Sequence, residues 1–166
     1  GNQSADLSAV TVADGPPANI TDIADLLGQA TIKRSALVEI SEADLNRYLA
    51  ATLSGRQAGR SARLAGFEKV LVDFEQGEAR ITLCWLVGGH RTTTTVHLHV
   101  ALESGVHRAE LTGGAYGRMP VVRGFLAPVM PAYQELARAC SPEIGSILSM
   151  TKIRIAKNKL ILDPRF

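Results

Sequence analysis

Residues 67–115 read FEKVLVDFEQGEARITLCWLVGGHRTTTTVHLHVALESGVHRAELTGGA, and this stretch decides the fold. Three two-residue breaks, Gln76-Gly77, Gly88-Gly89 and Ser104-Gly105, cut it into four segments whose apolar residues register on one face. Glycine accepts the positive φ that tight hairpin turns demand, so each break is expected to reverse the chain. Cross-strand neighbours share a face, which sets Val72 opposite Ile81, Ile81 opposite Val96, Leu83 opposite Val70 and Leu98 opposite Leu111. The other face then carries Asp73, Arg80, His97 and Thr112 in one row, with Thr82, Thr93 and Thr95 nearby, and reads as a wet surface. The expectation is a one-sided antiparallel meander, with strands near 67–75, 78–87, 90–103 and 106–115, whose apolar side must be covered.

The flanks supply the cover. Ser41 offers an N-cap hydroxyl and Asp44 a carboxylate in the first turn, and Leu45, Tyr48, Leu49 and Leu53 follow on one helical stripe. Before this helix, Ile32 to Ile40 suggests a strand, and Ile20 to Leu27 a short helix capped by Thr21 and ended at Gly28. Residues 1–19, dominated by Gly, Ser, Asp, Asn and Pro, read as a flexible leader, and residues 20–166 as a single α+β domain. Residues 54–66 read as a loop. After Gly113-Gly114, Val122, Phe125, Leu126, Val129, Tyr133, Leu136 and Cys140 recur at helical spacing from Pro120 onward, interrupted by Pro128, Pro131 and Pro142. Ile153 to Leu162 closes the chain as a hairpin around Lys157-Asn158, pairing Ile155 with Leu160 and Ile153 with Leu162. The fold class is therefore α+β: a four-stranded antiparallel meander packed on an N-terminal helix and a proline-interrupted C-terminal helical region, closing with a β-hairpin.

Composition narrows the function. At 166 residues, 46% hydrophobic and 20% charged, the chain can bury a core without disulfides. A net charge of +2 and 5% aromatic residues argue against nucleic acid, because the basic stretch at Arg56, Arg60 and Arg63 has no interleaved stacking platforms. Cys84 and Cys140 have neither zinc-knuckle nor redox-pair spacing, and whether they are joined stays open. Gly1 stands where an initiator Met would, which leads to the expectation of a truncated or processed chain with an upstream signal or membrane tether removed, a cytosolic fragment being the competing reading.

No catalytic signature emerges. His97 and His99 point the same way from one strand, as metal ligands would, but His97 neighbours Arg80 and His99 faces Glu110, so further ligands are lacking. Asp73, Arg80, His97 and Glu110 could form an acid/base cluster only within a pocket, and a threonine-lined sheet surface is not one. No Gly-x-Ser-x-Gly occurs, and Gly113-Gly114 with Gly117 lacks the Lys and Ser/Thr of a phosphate loop, which leaves a bulge or tight strand exit. No catalytic residue, metal or cofactor is expected.

The remaining signal is apolar. If the proline-bent helical region stands off the sheet, Phe74, Leu83, Trp85, Leu98, Phe125, Val129 and Tyr133 would line a groove for an apolar molecule such as a lipid. The order of elements, with Ser41-Glu42-Ala43-Asp44-Leu45-Asn46 opening the first helix and Gly117-Arg118-Met119-Pro120 leading to the second, resembles small bacterial envelope proteins of the YpmS type. It is also similar to the wider tubular lipid-binding superfamily, over roughly Ile32 to Leu162. The resemblance implies an exported or membrane-tethered protein without enzymatic activity. The leading expectation is thus a non-enzymatic domain of the cell envelope, periplasmic or otherwise extracytoplasmic, with a cytoplasmic location left open, that binds an apolar ligand between sheet and helices. A structural or protein-interaction domain with a filled core is the first rival. A hydrolase or metal-dependent enzyme using the histidine face is the second.

Overall fold

The computed structural model describes residues 22–57 and 67–166. The meander is present with the implied register in β2 (Phe67–Glu75), β3 (Glu78–Val87), β4 (His90–Glu103) and β5 (Val106–Tyr116): Val72 faces Ile81, Ile81 faces Val96, Leu83 faces Val70 and Leu98 faces Leu111. Successive positive φ values at Gly88-Gly89 and at Ser104-Gly105 give the turns the backbone hand that matches twisted strands.

The sheet has five strands rather than four, because Met119–Val122 forms β6 beside β5, and no helix starts at Pro120. Gly117, at φ +58°, reverses the chain, β-branched Val121 and Val122 favour extension, and a proline is tolerated on an edge strand, where a missing amide breaks no central ladder. A 3-10 turn, Arg123–Leu126, then leads to α3 (Met130–Ala139) and α4 (Ser141–Leu148), each with a proline in its first turn. The expected succession of helical pieces holds from there.

Two N-terminal boundaries also differ. The helix α1 (Asp22–Lys33) runs through Gly28 and stops only at Arg34, whose φ of +47° is left-handed, so Ile32 is an exposed helical residue. An interior helical glycine costs about 1 kcal/mol relative to alanine but does not by itself end a helix. The strand β1 is consequently short, Val38–Ser41, and pairs with β8 (Lys159–Asp163), which pairs in turn with β7 (Lys152–Ala156). The closing hairpin has its expected register and is completed into a three-stranded sheet. The second helix, α2 (Glu42–Gln57), is capped as expected, with the Asp44 amide donating to Ser41 Oγ at 3.1 Å. It reaches past Ser54 and takes in Arg56, while the expected leader, Thr21, Arg60 and Arg63 lie outside the described residues.

What joins these parts is the outer edge of β2. The Val72 amide donates to Asn46 Oδ1 (2.7 Å) and the Val72 carbonyl accepts from Asn46 Nδ2 (2.9 Å), so a side chain of α2 occupies the place of a neighbouring strand. Glu42 Oε1 accepts from the Phe74 amide (2.7 Å), and the Asn158 amide donates to the Phe74 carbonyl (2.9 Å). Asn158 O also accepts from the Glu42 amide, and the Ile155 carbonyl accepts from Gly77 N, tying the small sheet to the large one. Glu42 and Asn46 are fully buried, as hydrogen-bonded polar groups can be. The apolar core lies against the inner face of the large sheet, where Val70, Leu83 and Val96 meet Leu53, Leu126, Tyr133 and Met150.

The row on the opposite face needs two corrections. Gly113, not Thr112, stands opposite His97, because a bulge inserts Thr112 as an extra residue, and its hydroxyl donates back to the His97 carbonyl (3.2 Å). The threonines are not wet: Thr82, Thr93 and Thr95 are buried together with Leu71 and Cys84. Thr82 and Thr95 hydroxyls bond one another across the strands at 2.8 Å, a pairing that removes the need for water.

The bulge brings β5 hard against its neighbours. A Cβ on Gly114 would stand 2.2 Å from the Thr95 carbonyl oxygen and 3.0 Å from both Leu126 methyls, whereas one on Gly113 would meet only the Val121 carbonyl, at 3.4 Å. Gly114→Ala is therefore expected to lose about 2–3 kcal/mol or more in urea unfolding, by overpacking against backbone, and Gly113→Ala clearly less. Asn46→Ala strands two backbone groups of Val72 and is expected to cost about 1–3 kcal/mol for each, read by the same titration.

Candidate functional site

Two regions contain the residues that the sequence singles out. On the polar row, Glu42 reaches across the β2 edge to Asp73, and the two carboxyls share a hydrogen bond, which requires one of them to hold a proton. Burial, then Glu42, then Glu75 push Asp73 up to about 6, against the pull of Arg80. Arg80 Nε donates to Glu78 Oε2 at 2.8 Å, and His97 Nδ1 lies 3.6 Å from Glu78 Oε1. Burial holds His97 below the ordinary histidine value, with Glu78 opposing and Arg80 reinforcing the shift. Glu110 is not part of this group; it pairs with His99 at 2.9 Å. The four residues weighed as an acid/base cluster are thus divided between separate pairings at Glu78 and at His99, and Asp73 serves the α2–β2 contact.

Both cysteines are free and buried, and burial raises the Cys84 thiol, so it is held as a neutral thiol rather than a thiolate. Among the described residues, no group of three or more His, Cys, Asp and Glu is placed to hold a metal ion, and no helix is long and apolar enough to cross a membrane.

The second region is apolar. Of the seven residues expected to line a groove, Phe74, Leu83 and Tyr133 are buried in the core, and Trp85, Leu98 and Val129 pack half-buried against it. Trp85 meets Phe67 edge to face, with ring centroids 5.7 Å apart. The Tyr133 hydroxyl sits between the carbonyl oxygens of Thr94 (2.6 Å) and Ile81 (3.1 Å), and burial raises its pKa well above the usual phenol range. Phe125 is not brought into this group and is 68% exposed. The 3-10 turn separates neighbours that helical spacing would have kept together: Leu126 turns fully inward against Gly114, and Phe125 turns out.

Phe125 follows other exposed apolar residues along the chain. Met119 and Val122 on β6 are 61% and 67% exposed, and the Tyr116 hydroxyl donates to the Phe125 carbonyl at 2.6 Å, holding the turn back toward the end of β5. Sequence reading passed over Glu42, Asn46, Met119 and Val122 as site residues. Glu42 and Asn46 do continue the buried stripe of Leu49 and Leu53 at spacings of four and three, which is the signal that would have placed them inward.

Compared with family models, with curated proteins and with solved structures, the chain gives no match.

The carboxyl pair makes a pH prediction. Because Asp73 rises from 3.8 to about 6 on folding, the folded protein holds a proton that the unfolded chain releases between those values. The stability this group contributes is full below pH 4 and is lost as pH rises through 6. Asp73→Asn is therefore expected to raise the urea midpoint at pH 7.5, and the gain over wild type should shrink steadily between pH 6 and 4.

Proposed function

We propose that this is a non-enzymatic, extracytoplasmic domain that binds lipid through the exposed apolar strip formed by Met119, Val122 and Phe125. The observation that carries the reading is the exposure of this edge: three large apolar side chains, each more than 60% exposed, lie within one short edge strand and the turn after it, Met119 and Val122 on the two faces of the strand. Single exposed apolar residues are ordinary, but a cluster on one segment marks a contact surface. Burying a side chain of this size contributes about 1.5–3 kcal/mol, enough for useful affinity without any catalytic group.

Two features favour the strip over the alternatives. Leu83, Leu126 and Tyr133 occupy the layer between sheet and helices, which supports contact at the outside of that layer rather than within it. The polar row is engaged internally through Glu42–Asp73, Arg80–Glu78 and His99–Glu110, which speaks against a catalytic use of the histidine face.

A fluorescent fatty acid, titrated below its critical micelle concentration, tests the reading. Wild type is expected to bind saturably, and V122S/F125S to bind about tenfold more weakly with an unchanged melting temperature, a loss of about 1.4 kcal/mol. Absence of binding by wild type would refute it. An amphiphile that co-purifies stoichiometrically, and survives in V122S/F125S by mass spectrometry, would move the ligand to the interior lined by Phe74, Leu83, Trp85, Leu98 and Val129.

A further inference from the structure

We infer that the outer face of the large sheet, opposite the core, is the docking surface of a segment of this same chain, residues 7–12 (LSAVTV). On that face the register sets Lys69, Cys84 and Thr93 in one row and Leu71, Thr82 and Thr95 in the next. Leu71, Thr82, Cys84, Thr93 and Thr95 are all buried, Cys84 with no exposed surface. Side chains stand upright on a sheet, so neighbours shield their flanks but not their tips, and an open face does not bury five adjacent residues. Yet Leu71 and Cys84 lie outside the core cluster, to which α1 gives Leu27, α2 Leu53, α3 Tyr133 and the small sheet Leu162. Among the described residues the one other buried apolar side chain outside that cluster is Ala156, on the strand that meets the β2–β3 turn through Gly77. The helix α2 runs along the β2 edge beside Leu71, whereas Thr82 and Cys84 lie one strand further in, and Thr93 and Thr95 two.

The extent of the burial gives the size of the cover. Asp73, Arg80 and His97, the next row on the same face, are half-buried, and Lys69, Leu86 and Arg91 are exposed, so the cover is confined to a band across the strands. Crossing from β2 to β5 spans three strand spacings, about 15 Å, which about five extended residues bridge. A second copy is not the cover, because the burial is complete within one chain. Two stretches of the chain lie outside the described residues, 1–21 and 58–66. The second, AGRSARLAG, has Leu64 as its one large apolar residue and two arginines that are costly to bury. The first contains, between Asp6 and Asp14, the uncharged run LSAVTVA. Its Val10 and Val12 face one way when extended, and they are β-branched like the threonines they would meet. Twenty-one extended residues reach about 70 Å, so the join to α1 at Asp22 leaves either face of the sheet within range.

Thiol labelling of the full chain with N-ethylmaleimide tests the inference, peptide mass spectrometry separating Cys84 from Cys140. Both are buried, and in wild type both are expected to react slowly. V10D/V12D is expected to speed the labelling of Cys84 by about tenfold or more and to leave Cys140 as it was, because Cys140 belongs to the core on the other side of the sheet. L64D is expected to change neither. Rapid labelling of Cys84 in wild type, an unchanged rate in V10D/V12D, or acceleration by L64D instead would overturn the assignment. Should V10D/V12D accelerate both thiols together, it has opened the whole domain, and cysteines placed in turn by A9C, V10C, T11C and V12C decide. Under mild oxidation at least one of them is expected to form a disulfide with Cys84 within a single chain. No such bond, or one formed only between chains, would overturn the inference.

Discussion

The free edge of β2 is the constraint on which the rest of the structure depends. An edge strand buried by neighbouring elements exposes a row of backbone donors and acceptors that must be satisfied or carry a cost of several kcal/mol. Here Asn46 supplies both a donor and an acceptor to Val72, and Glu42 accepts from the amide of Phe74, so α2 finishes the ladder with side chains. Asn158 takes the Phe74 carbonyl, and its own carbonyl receives the Glu42 amide. One short run of hydrogen bonds thus fixes the position of α2, the large sheet and the closing hairpin. Placing Glu42 there also creates its contact with Asp73, so a raised carboxyl is the electrostatic consequence of sealing the edge.

The opposite edge is treated differently. The outer strand β6 has only four residues and includes Pro120, both of which blunt pairing with another chain. Its Val121 packs against the core, while Met119 on the same face and Val122 on the other remain exposed. The sheet therefore has one edge closed by buried polar side chains and one edge left open with apolar side chains. The Gly114 contact links the two regions, since the close approach of Thr95 and Leu126 to its backbone holds β5 and the 3-10 turn where Phe125 is turned outward.

The strand register was legible in the sequence because side-chain alternation and glycine turns are local and mutually checking. Val72, Ile81, Val96, Leu98 and Leu111 could fall on one face in only one way once the three turns were placed. The cap at Ser41 and the closing hairpin were legible for the same reason. What was not legible depended on partners distant in sequence. Pro120 carries the same local signal at a helix start and on an edge strand, and only pairing with Ala115 distinguishes them. Thr82 and Thr95 look like surface residues until each is seen to satisfy the other. Phe125 and Leu126 belong to one helical stripe by spacing, and the 3-10 turn that splits them answers to the tight fit at Gly114. For the candidate site, the sequence grouped seven apolar residues, of which six pack in or against the core and one faces solvent.

Polarity and burial disagree in two places in this chain, and the disagreements differ in kind. Glu42, Asn46, Thr82, Thr95 and Glu143 are polar and buried, and each has a partner that accounts for it, Glu143 accepting from the Tyr48 hydroxyl at 2.7 Å. Burial of polar groups is the costly direction, so the fold must compensate it within itself, and it does. Exposure of Met119, Val122 and Phe125 costs far less, and nothing inside the fold requires it: the Tyr116 hydroxyl fixes the Phe125 backbone but leaves the ring free of the core. An internal requirement explains the first set completely. The second set has no such internal partner, and on that ground the proposed lipid contact is placed at the open edge rather than at the histidines or the carboxyl pair.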